Sequence, residues 1–409
     1  MMQNGALSHI RVLDMSRILA GPWTGQLLAD LGAEVIKVER PGRGDDTRAW
    51  GPPWVQDEAG NDTGESAYYT CANRGKQSVT IDITQPEGQA LIRQLAAKCD
   101  ILLENYKVGG LAKYGLDYDS LKAVNPGLIY CSITGFGQTG PYQHRAGYDF
   151  MIQAMGGLMS ITGVPEGEAG AGPQKVGVAL ADVLTGLYAG NACLAALAYR
   201  ERSGKGQYID MSLLDVQVAA LANQASNYLI SGQSPTRLGN AHPNIVPYQS
   251  FPGADGYFIL AVGNDAQFAR LCGLLGRDEW TAETAYGSNQ LRVQKRAELV
   301  PLLEALFRQQ STAYWLAELE KLGVPCGPIN TIEQVFADPQ VRARGMRIEA
   351  EHPLAGSLPM VNSPLRMSES PVKVDRAPPL LGEHTEAVLG DLLGLGAEEL
   401  ARLGALKVI

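Results

Sequence analysis

Residues 10–39 read IRVLDMSRILAGPWTGQLLADLGAEVIKVE. Ile10-Arg11-Val12-Leu13-Asp14 is short and rich in branched apolar residues, the signature of a strand. Ala20-Gly21-Pro22 reads as a turn, and Trp23–Leu31 as a helix that stops near Gly32. Glu34-Val35-Ile36-Lys37-Val38-Glu39 is the next strand. Strand, helix and strand in this order predict a βαβ unit, and therefore a largely parallel sheet.

Working outward, Ser78–Asp82, Ile101–Glu104 and Leu128–Ile133 repeat the strand pattern. Pro86–Lys98 between them is a helix with proline in its first turn, where the missing N–H costs nothing. The fold class is α/β. Further on, Ala189–Arg200 and Leu213–Leu229 are helical, and Gly232–Pro247 is rich in Gly, Pro and Asn. A strand at Tyr257–Val262 precedes helices near Ala266–Leu275, Arg296–Arg308 and Ala313–Leu322, so this region reads as a second, smaller α+β domain. Short strands and turns fill Met346–Val374, and a final helix follows Gly382-Glu383-His384-Thr385. The loop Asp57–Gly64 is the expected mobile insertion.

A chain of 409 residues with 45% hydrophobic and 19% charged residues is long enough for two or three domains. A net charge of −9 argues against a general nucleic-acid surface, so an anionic ligand must be met by a local basic cluster. The six cysteines are widely spaced with no CxxC pattern, as expected of reduced thiols in a cytoplasmic protein. Met1–Gly5 has no basic signal-peptide flank, and Val183–Tyr199 reads as a buried core helix rather than a membrane span.

One carboxylate stands apart. Asp182 lies in Lys175-Val176-Gly177-Val178-Ala179-Leu180-Ala181-Asp182-Val183-Leu184-Thr185-Gly186, with no further charge before Arg200. It reads either as the N-cap of a buried helix or as a nucleophile in a dry site. In both readings the helix N-terminus favours its ionised form.

Other constellations are weaker. Glu39 ends the second strand, where a dinucleotide-binding enzyme would hold a ribose hydroxyl, but the turn Ala20–Gly25 is not GxGxxG and Trp23 would obstruct the pyrophosphate. Arg40 suits a phosphate carried on a ribose. Lys37, Arg40, Arg43, Arg48, Arg74, Lys76, Lys107 and Lys113 recur at element ends and together suit a polyphosphate. Gly239-Asn240-Ala241-His242 reads as a solvated turn or as a loop closing over a ligand, and His384 as structural. Neither a GxSxG motif nor a metal-ligand spacing is present, so no metal is expected.

Several segments resemble the class III CoA-transferase family. These are Leu13-Asp14, Leu19-Ala20-Gly21-Pro22, Leu31-Gly32-Ala33-Glu34-Val35-Ile36-Lys37-Val38-Glu39-Arg40-Pro41 and Gly44-Asp45-Asp46-Thr47-Arg48. They continue with Asn73-Arg74-Gly75-Lys76, Glu104-Asn105-Tyr106, Thr134–Pro141, Val324-Pro325-Cys326-Gly327-Pro328 and Pro378–Thr385. The likeness runs through the chain in order. It implies a Rossmann-like large domain built from residues 1–225 and 331–409, a small domain over 226–330, and an interlocked homodimer. It places the nucleophile on Asp182 and the CoA contacts on Leu19, Ala20, Arg40, Ile81, Asn105, Tyr106 and Lys113, with Arg145 a further basic candidate. Acyl-site positions fall on Trp50, Tyr148 and Asp149. The family's glycine loop corresponds to Gly239, Asn240 and His242, where one glycine remains.

The resemblance implies an enzyme that moves CoA between carboxylic acids with no tightly bound cofactor. Succinyl-CoA is the expected donor and a dicarboxylate such as glutarate the expected acceptor, with Arg48, Arg145 and His242 as candidate readers of the second carboxylate. Two alternatives are an α-methylacyl-CoA racemase of the same fold and a non-catalytic CoA-binding protein. Racemases carry Gly-His-Asp where this chain has Gly147-Tyr148-Asp149, and tyrosine, with an ordinary pKa near 10, is a poor base at neutral pH. No nucleic acid or membrane partner is expected.

Overall fold

A computed structural model describes residues 5–282 and 284–409. The chain divides into two compact units. The larger runs as far as Leu158 and adds Lys175–Gln233 and Pro339–Ile409; the smaller comprises Met159–Gln174 and Ser234–Asp338.

The larger unit is built on six parallel strands: β1 (Arg11–Asp14), β2 (Glu34–Glu39), β3 (Lys76–Thr80), β4 (Ile101–Glu104), β5 (Ile129–Thr134) and β6 (Tyr208–Ser212). Their order across the sheet is β3-β2-β1-β4-β5-β6. This is the doubly wound Rossmann order, and its direction reverses between β1 and β4. Val12 is in register with Val35 on one side and Ile101 on the other, which fixes the strand ends that flank the reversal.

Alternation along each strand builds two cores. Val12, Val35, Ile101, Leu103, Ile129 and Cys131 face one layer of helices. Leu13, Ile36, Val79, Leu102 and Tyr130 face the other. The second layer includes α2 (Pro86–Ala96) and the C-terminal helices Thr385–Leu393 and Ala397–Ala405, whose Val388, Leu389 and Leu403 complete that core. The chain's last segment therefore returns to the sheet begun by its first.

Several boundaries differ from the sequence reading. The expected turn Ala20-Gly21-Pro22 is the first turn of α1 (Ala20–Asp30). Pro22 is tolerated there because the first N–H groups of a helix have no intrahelical acceptor. The turn after β1 is thus Met15–Leu19, which contains no glycine, and Trp23 lies inside α1 rather than in the turn. The helix expected from Ala189 starts nine residues earlier, as α4 (Leu180–Ser203); α3 (Asp149–Met155) precedes it. Leu213–Leu229 is two helices, α5 (Leu213–Ala219) and α6 (Ala222–Ser231), parted where Ala222 adopts φ +47°, and no Gly or Pro marks the break. Strand β6 has no long apolar run because it is an edge strand: its Asp210 side chain turns to accept from the Gln138 N–H at 3.0 Å. The Asp57–Gly64 segment spans the tip, residues 57–61, of a hairpin between Trp54–Gln56 and Asp62–Ser66 and the start of its second strand.

Among the described residues α4 is the helix long and apolar enough to cross a membrane. One side of it, carrying Ala181, Ala189, Cys193, Ala196 and Leu197, packs into the first core. Its contact with α1 is close. The Thr24 hydroxyl donates to the Gly186 carbonyl at 3.0 Å, and a Cβ on Gly186 would stand 2.8 Å from the Ala20 carbonyl oxygen. Gly186 is therefore the residue that lets the N-terminal ends of two helices approach.

The smaller unit has an antiparallel sheet of Tyr248–Pro252, Tyr257–Ala261 and Cys326–Pro328. Helices Asp265–Leu275, Arg296–Phe307 and Thr312–Lys321 cover a core of Phe251, Phe258, Phe268, Phe307 and Trp315.

Gly186→Val should force α1 and α4 apart. Overpacking of this kind costs about 1–3 kcal/mol, to be measured by urea unfolding. An unaltered midpoint would contradict the close crossing.

Candidate active site

A cleft of about 590 Å³ opens in the larger unit at the carboxyl ends of β1 and β4, where the strand order reverses. Open parallel sheets bind their ligands at this place. Its wall is formed by Arg17–Ala20 after β1, Val38–Arg40 and Arg43–Asp46 at and after β2, and Ile81–Thr84 after β3. Asn105–Val108, Gly110, Lys113, Tyr114, Ile133–Gly135, Gln143–Tyr148, Asp182 and Leu213 complete it.

The structure sorts the basic residues into two groups. Lys37, Arg48, Arg74 and Lys76 are buried in ion pairs with Asp45, Glu39, Asp30 and Asp14. Arg48 also bonds Glu65, Tyr69 and the Pro379 carbonyl, so its donors are spent on the fold and it is withdrawn as a reader of a substrate carboxylate. Glu39 is likewise engaged by Arg48, Ser78 and the Asp45 N–H, which removes it as a ribose acceptor. Arg40, Arg43, Lys107, Lys113 and Arg145 instead line the cleft. Arg145 lies over the rings of Phe136 and Tyr142, at 5.3 and 4.7 Å from their centroids. A chain of net charge −9 thus gathers cations at one place, and apart from Arg43, which pairs with Asp46 at 3.2 Å, these five are in no ion pair among the described residues.

Asp182 is the third residue of α4 and does not cap it. That place is taken by Asp149, the first residue of α3, whose Oδ1 accepts from the Ala181 N–H at 2.8 Å and the Asp182 N–H at 3.4 Å. Its other oxygen accepts from the Gln153 amide at 2.7 Å, and Gln153, fully buried, in turn accepts from the Val176 N–H at 2.9 Å. Capping from a neighbouring helix leaves the Asp182 carboxylate without a hydrogen-bond donor among the described residues. Burial, and then the nearby charge of Asp149, push the Asp182 carboxyl up to about 7. The expectation that the helix N-terminus would keep it readily ionised is corrected accordingly: the helix dipole is answered by Asp149, and desolvation prevails at Asp182.

Of the residues expected at the site, Leu19, Ala20, Arg40, Ile81, Asn105, Tyr106, Lys113, Arg145 and Tyr148 share the cleft wall with Asp182. Asp149 acts on the helix, as described, and is not part of that wall. Trp50 is half-exposed and meets Tyr68 edge-on, with ring centroids 5.0 Å apart. Nothing in the sequence singles out Tyr68. Its phenol is pushed up to about 12 by burial, with the charges of Cys71, Asp182 and Asp149 adding to the shift. A tyrosine beside a second tyrosine carries no sequence signal of such proximity.

Gly239, Asn240 and His242 belong to the smaller unit. There the Asn240 amide donates to Ser250 at 3.0 Å, the His242 ring faces Tyr248, and Arg296 donates to the carbonyls of His242 and Pro243. Burial and the Arg296 charge lower the His242 pKa, so at neutral pH the ring is an uncharged group and a poor anchor for a carboxylate. Among the described residues, no three His, Cys, Asp or Glu side chains converge as metal ligands.

The family model described as CoA-transferase family III matches residues 7–385. The chain is 54% identical over 386 residues to a succinate–glutarate CoA-transferase of Agrobacterium fabrum, covering 94% of this chain and 95% of that one. It is 46% identical over 387 residues to the human succinyl-CoA:glutarate CoA-transferase, covering 95% and 86%. The crystal structure of a CAIB/BAIF family protein from Brucella suis superposes with a TM-score of 0.83 at 54% identity, covering 95% of this chain and all of that one. A Mycobacterium tuberculosis protein superposes at 0.80 with 31% identity, covering 93% and 98%.

The raised carboxyl of Asp182 makes a stability prediction. The folded state holds this proton up to about pH 7, whereas the unfolded chain releases it near 3.8. The folded protein therefore loses stability from this group as pH rises between those values. Asp182→Asn, which does not titrate, should gain thermal stability relative to the native protein across that window. Parallel melting curves from pH 4 to 8 would refute the raised value.

Proposed function

The chain belongs to CoA-transferase family III, and on that premise we propose that it moves CoA from succinyl-CoA to glutarate or a similar dicarboxylate, with Asp182 as the nucleophile. The observation that carries this reading is a partly buried carboxylate, free of hydrogen-bond donors among the described residues, opening into a cleft whose wall gathers unspent cations. The named activities of the Agrobacterium and human relatives support the choice of acids.

In the proposed reaction the ionised Asp182 attacks the donor thioester carbonyl. The carbon–sulfur bond breaks, giving an aspartyl–acyl anhydride and CoA thiolate. The thiolate attacks the aspartyl carbonyl, releasing the donor acid and leaving an aspartyl-CoA thioester. The acceptor carboxylate attacks that thioester and repeats the exchange, so that Asp182 is regenerated and CoA leaves on the acceptor. The thioester is conserved through covalent intermediates, so no ATP is needed. A high carboxyl pKa suits this chemistry, because such a carboxylate is a stronger nucleophile once ionised, and its acyl derivative persists where water is scarce.

CoA would lie along Leu19-Ala20, Ile81 and Asn105-Tyr106, with Arg40 and Lys113 on its phosphates. Arg40 leads this group because it is exposed on the wall and its charge is felt by Asp82. Trp50, Tyr68 and Tyr148 would border the acyl group. Arg145 is the preferred reader of the second carboxylate, since Arg48 is spent and His242 is uncharged at neutral pH.

We also infer a homodimer acting in the cytoplasm. Tyr188 and Tyr199 on α4 and Leu229 and Ile230 on α6 are exposed, the last two at 78% and 88%, and a monomer would leave this apolar surface in water. The six free cysteines suit a reducing compartment.

Asp182→Ala should abolish transfer while retaining CoA binding, and hydroxylamine added after succinyl-CoA should modify Asp182 alone. A variant that keeps more than a small fraction of activity would sink the mechanism. In the native enzyme kcat/KM for succinyl-CoA should rise about tenfold per pH unit below pH 7 and level off above it, because the attacking form is the ionised one. Arg40→Ala should weaken CoA more than dephospho-CoA if it holds the 3′-phosphate; equal weakening would move it to the pyrophosphate, and none would remove it from the site.

A further inference from the structure

The turn between β1 and α1 contains a strained residue. Ile18 has φ +73°, in the left-handed region that a β-branched side chain enters only under constraint. The constraint is visible. The Ile18 N–H donates to Asp45 Oδ1 at 3.2 Å, and the same oxygen takes the Thr47 N–H at 3.0 Å and the Thr47 hydroxyl at 2.9 Å. The other Asp45 oxygen is held by Lys37 at 2.9 Å, both side chains being fully enclosed. The Lys37 ammonium also donates to the Ser16 carbonyl at 3.0 Å. One residue before Ile18, Arg17 exchanges two hydrogen bonds with the Asn105 side chain, at 2.9 and 2.6 Å. The backbone leading into Ile18 is thus fixed from β2 and from the segment after β4. Leu19 and Ala20, which follow it, share the cleft wall with Asp182.

We propose that Asp45 is a positioning residue for the CoA-transfer reaction: it holds Ile18 in its left-handed conformation and so sets where Leu19 and Ala20 meet the acyl-CoA. This rests on the reading that the cleft binds CoA. Rossmann proteins commonly reach such a turn with glycine, which enters positive φ freely. Here an isoleucine is forced into that shape by a buried carboxylate, so the wall is rigid as well as correctly placed. Without the acceptor, Ile18 relaxes to negative φ and the chain direction into α1 alters.

The test uses the affinity for CoA by calorimetry, read beside the thermal midpoint. Asp45→Ala should weaken CoA by at least about tenfold, the scale of loss expected when a binding wall is misplaced. Adding Ile18→Gly removes the need for force, because glycine adopts the conformation unaided. The double variant should therefore recover most of the CoA affinity while its midpoint stays as low as that of Asp45→Ala. Asp45→Asn keeps an acceptor for the Ile18 N–H but loses the charge opposite Lys37, so it should weaken CoA less than Asp45→Ala. A double variant no better than Asp45→Ala would reduce Asp45 to a fold-stabilising role and overturn the proposal. If Asp45→Ala does not fold, replacing Ile18 by its α-hydroxy analogue deletes the donated N–H with Asp45 intact, and unchanged CoA affinity there overturns it equally. Failure of the native protein to bind CoA would remove the reading of the cleft and this proposal with it, whereas CoA binding indifferent to all these variants removes this proposal alone.

Discussion

Asp149 occupies the N-terminus of α4 with a carboxylate that belongs to another helix. The consequences reach most of the site. A helix start with an acid in its first turn ordinarily satisfies its own orphan N–H groups with that acid. Here the N–H groups of Ala181 and Asp182 are answered from outside, so the Asp182 side chain is left free to face the cleft. The same arrangement sets two carboxylates near one another with little water, which raises the proton affinity of the less well solvated one. Gln153 locks the capping carboxylate from behind, and Val176 locks Gln153. The chain entering α4 is thereby tied to α3, whose N-cap residue is Tyr148.

The close crossing of α1 and α4 at Gly186 supplies the other half of the geometry. It brings the turn after β1 and the start of α4 to a common cleft, although they are far apart in sequence. The sheet order then explains why that cleft is available. Between β1 and β4 the connections leave in opposite directions, which opens a crevice at the strand ends. The side chains placed there are consequently free to bind a ligand instead of filling a core.

Much of this is legible in the sequence. The first three strands and the parallel sheet follow from hydrophobic period and turn residues, which act locally. Asp182 is conspicuous because a lone acid before a long uncharged helix is chemically unusual. What escapes a linear reading is the set of relations between distant residues. The role of Asp149 depends on α3 meeting the start of α4, and no spacing records it. Lys37, Arg48, Arg74 and Lys76 look like Arg40 and Lys113 in sequence, yet the first four are consumed by buried acids. Strand β6 is hidden because an edge strand can carry a central Asp. The start of α1 is misplaced when Pro22 is taken for a breaker, although as the third residue of a helix it breaks nothing.

The distribution of buried charge follows a common logic. Lys37 with Asp45, Lys76 with Asp14, and Arg48 with Glu39 form enclosed pairs beneath the cleft. Such pairs contribute little net stability over well-packed apolar residues, because desolvation offsets most of their attraction. Their effect lies in direction. Lys37 reaches the Ser16 carbonyl, Lys76 the Pro22 carbonyl, and Arg48 the Pro379 carbonyl. Each cation donates to an acid and also to a carbonyl of a loop or helix start, so it fixes backbone that an apolar side chain could not orient. On the wall above, Arg17 and Arg43 share Asp46, while Arg40, Lys107, Lys113 and Arg145 are in no ion pair among the described residues and remain available to an anion. An acidic protein can in this way keep a local cationic surface: it spends most of its nearby carboxylates on the cations that shape the cleft and leaves Arg40, Lys107, Lys113 and Arg145, which face into it, without an acidic partner among the described residues.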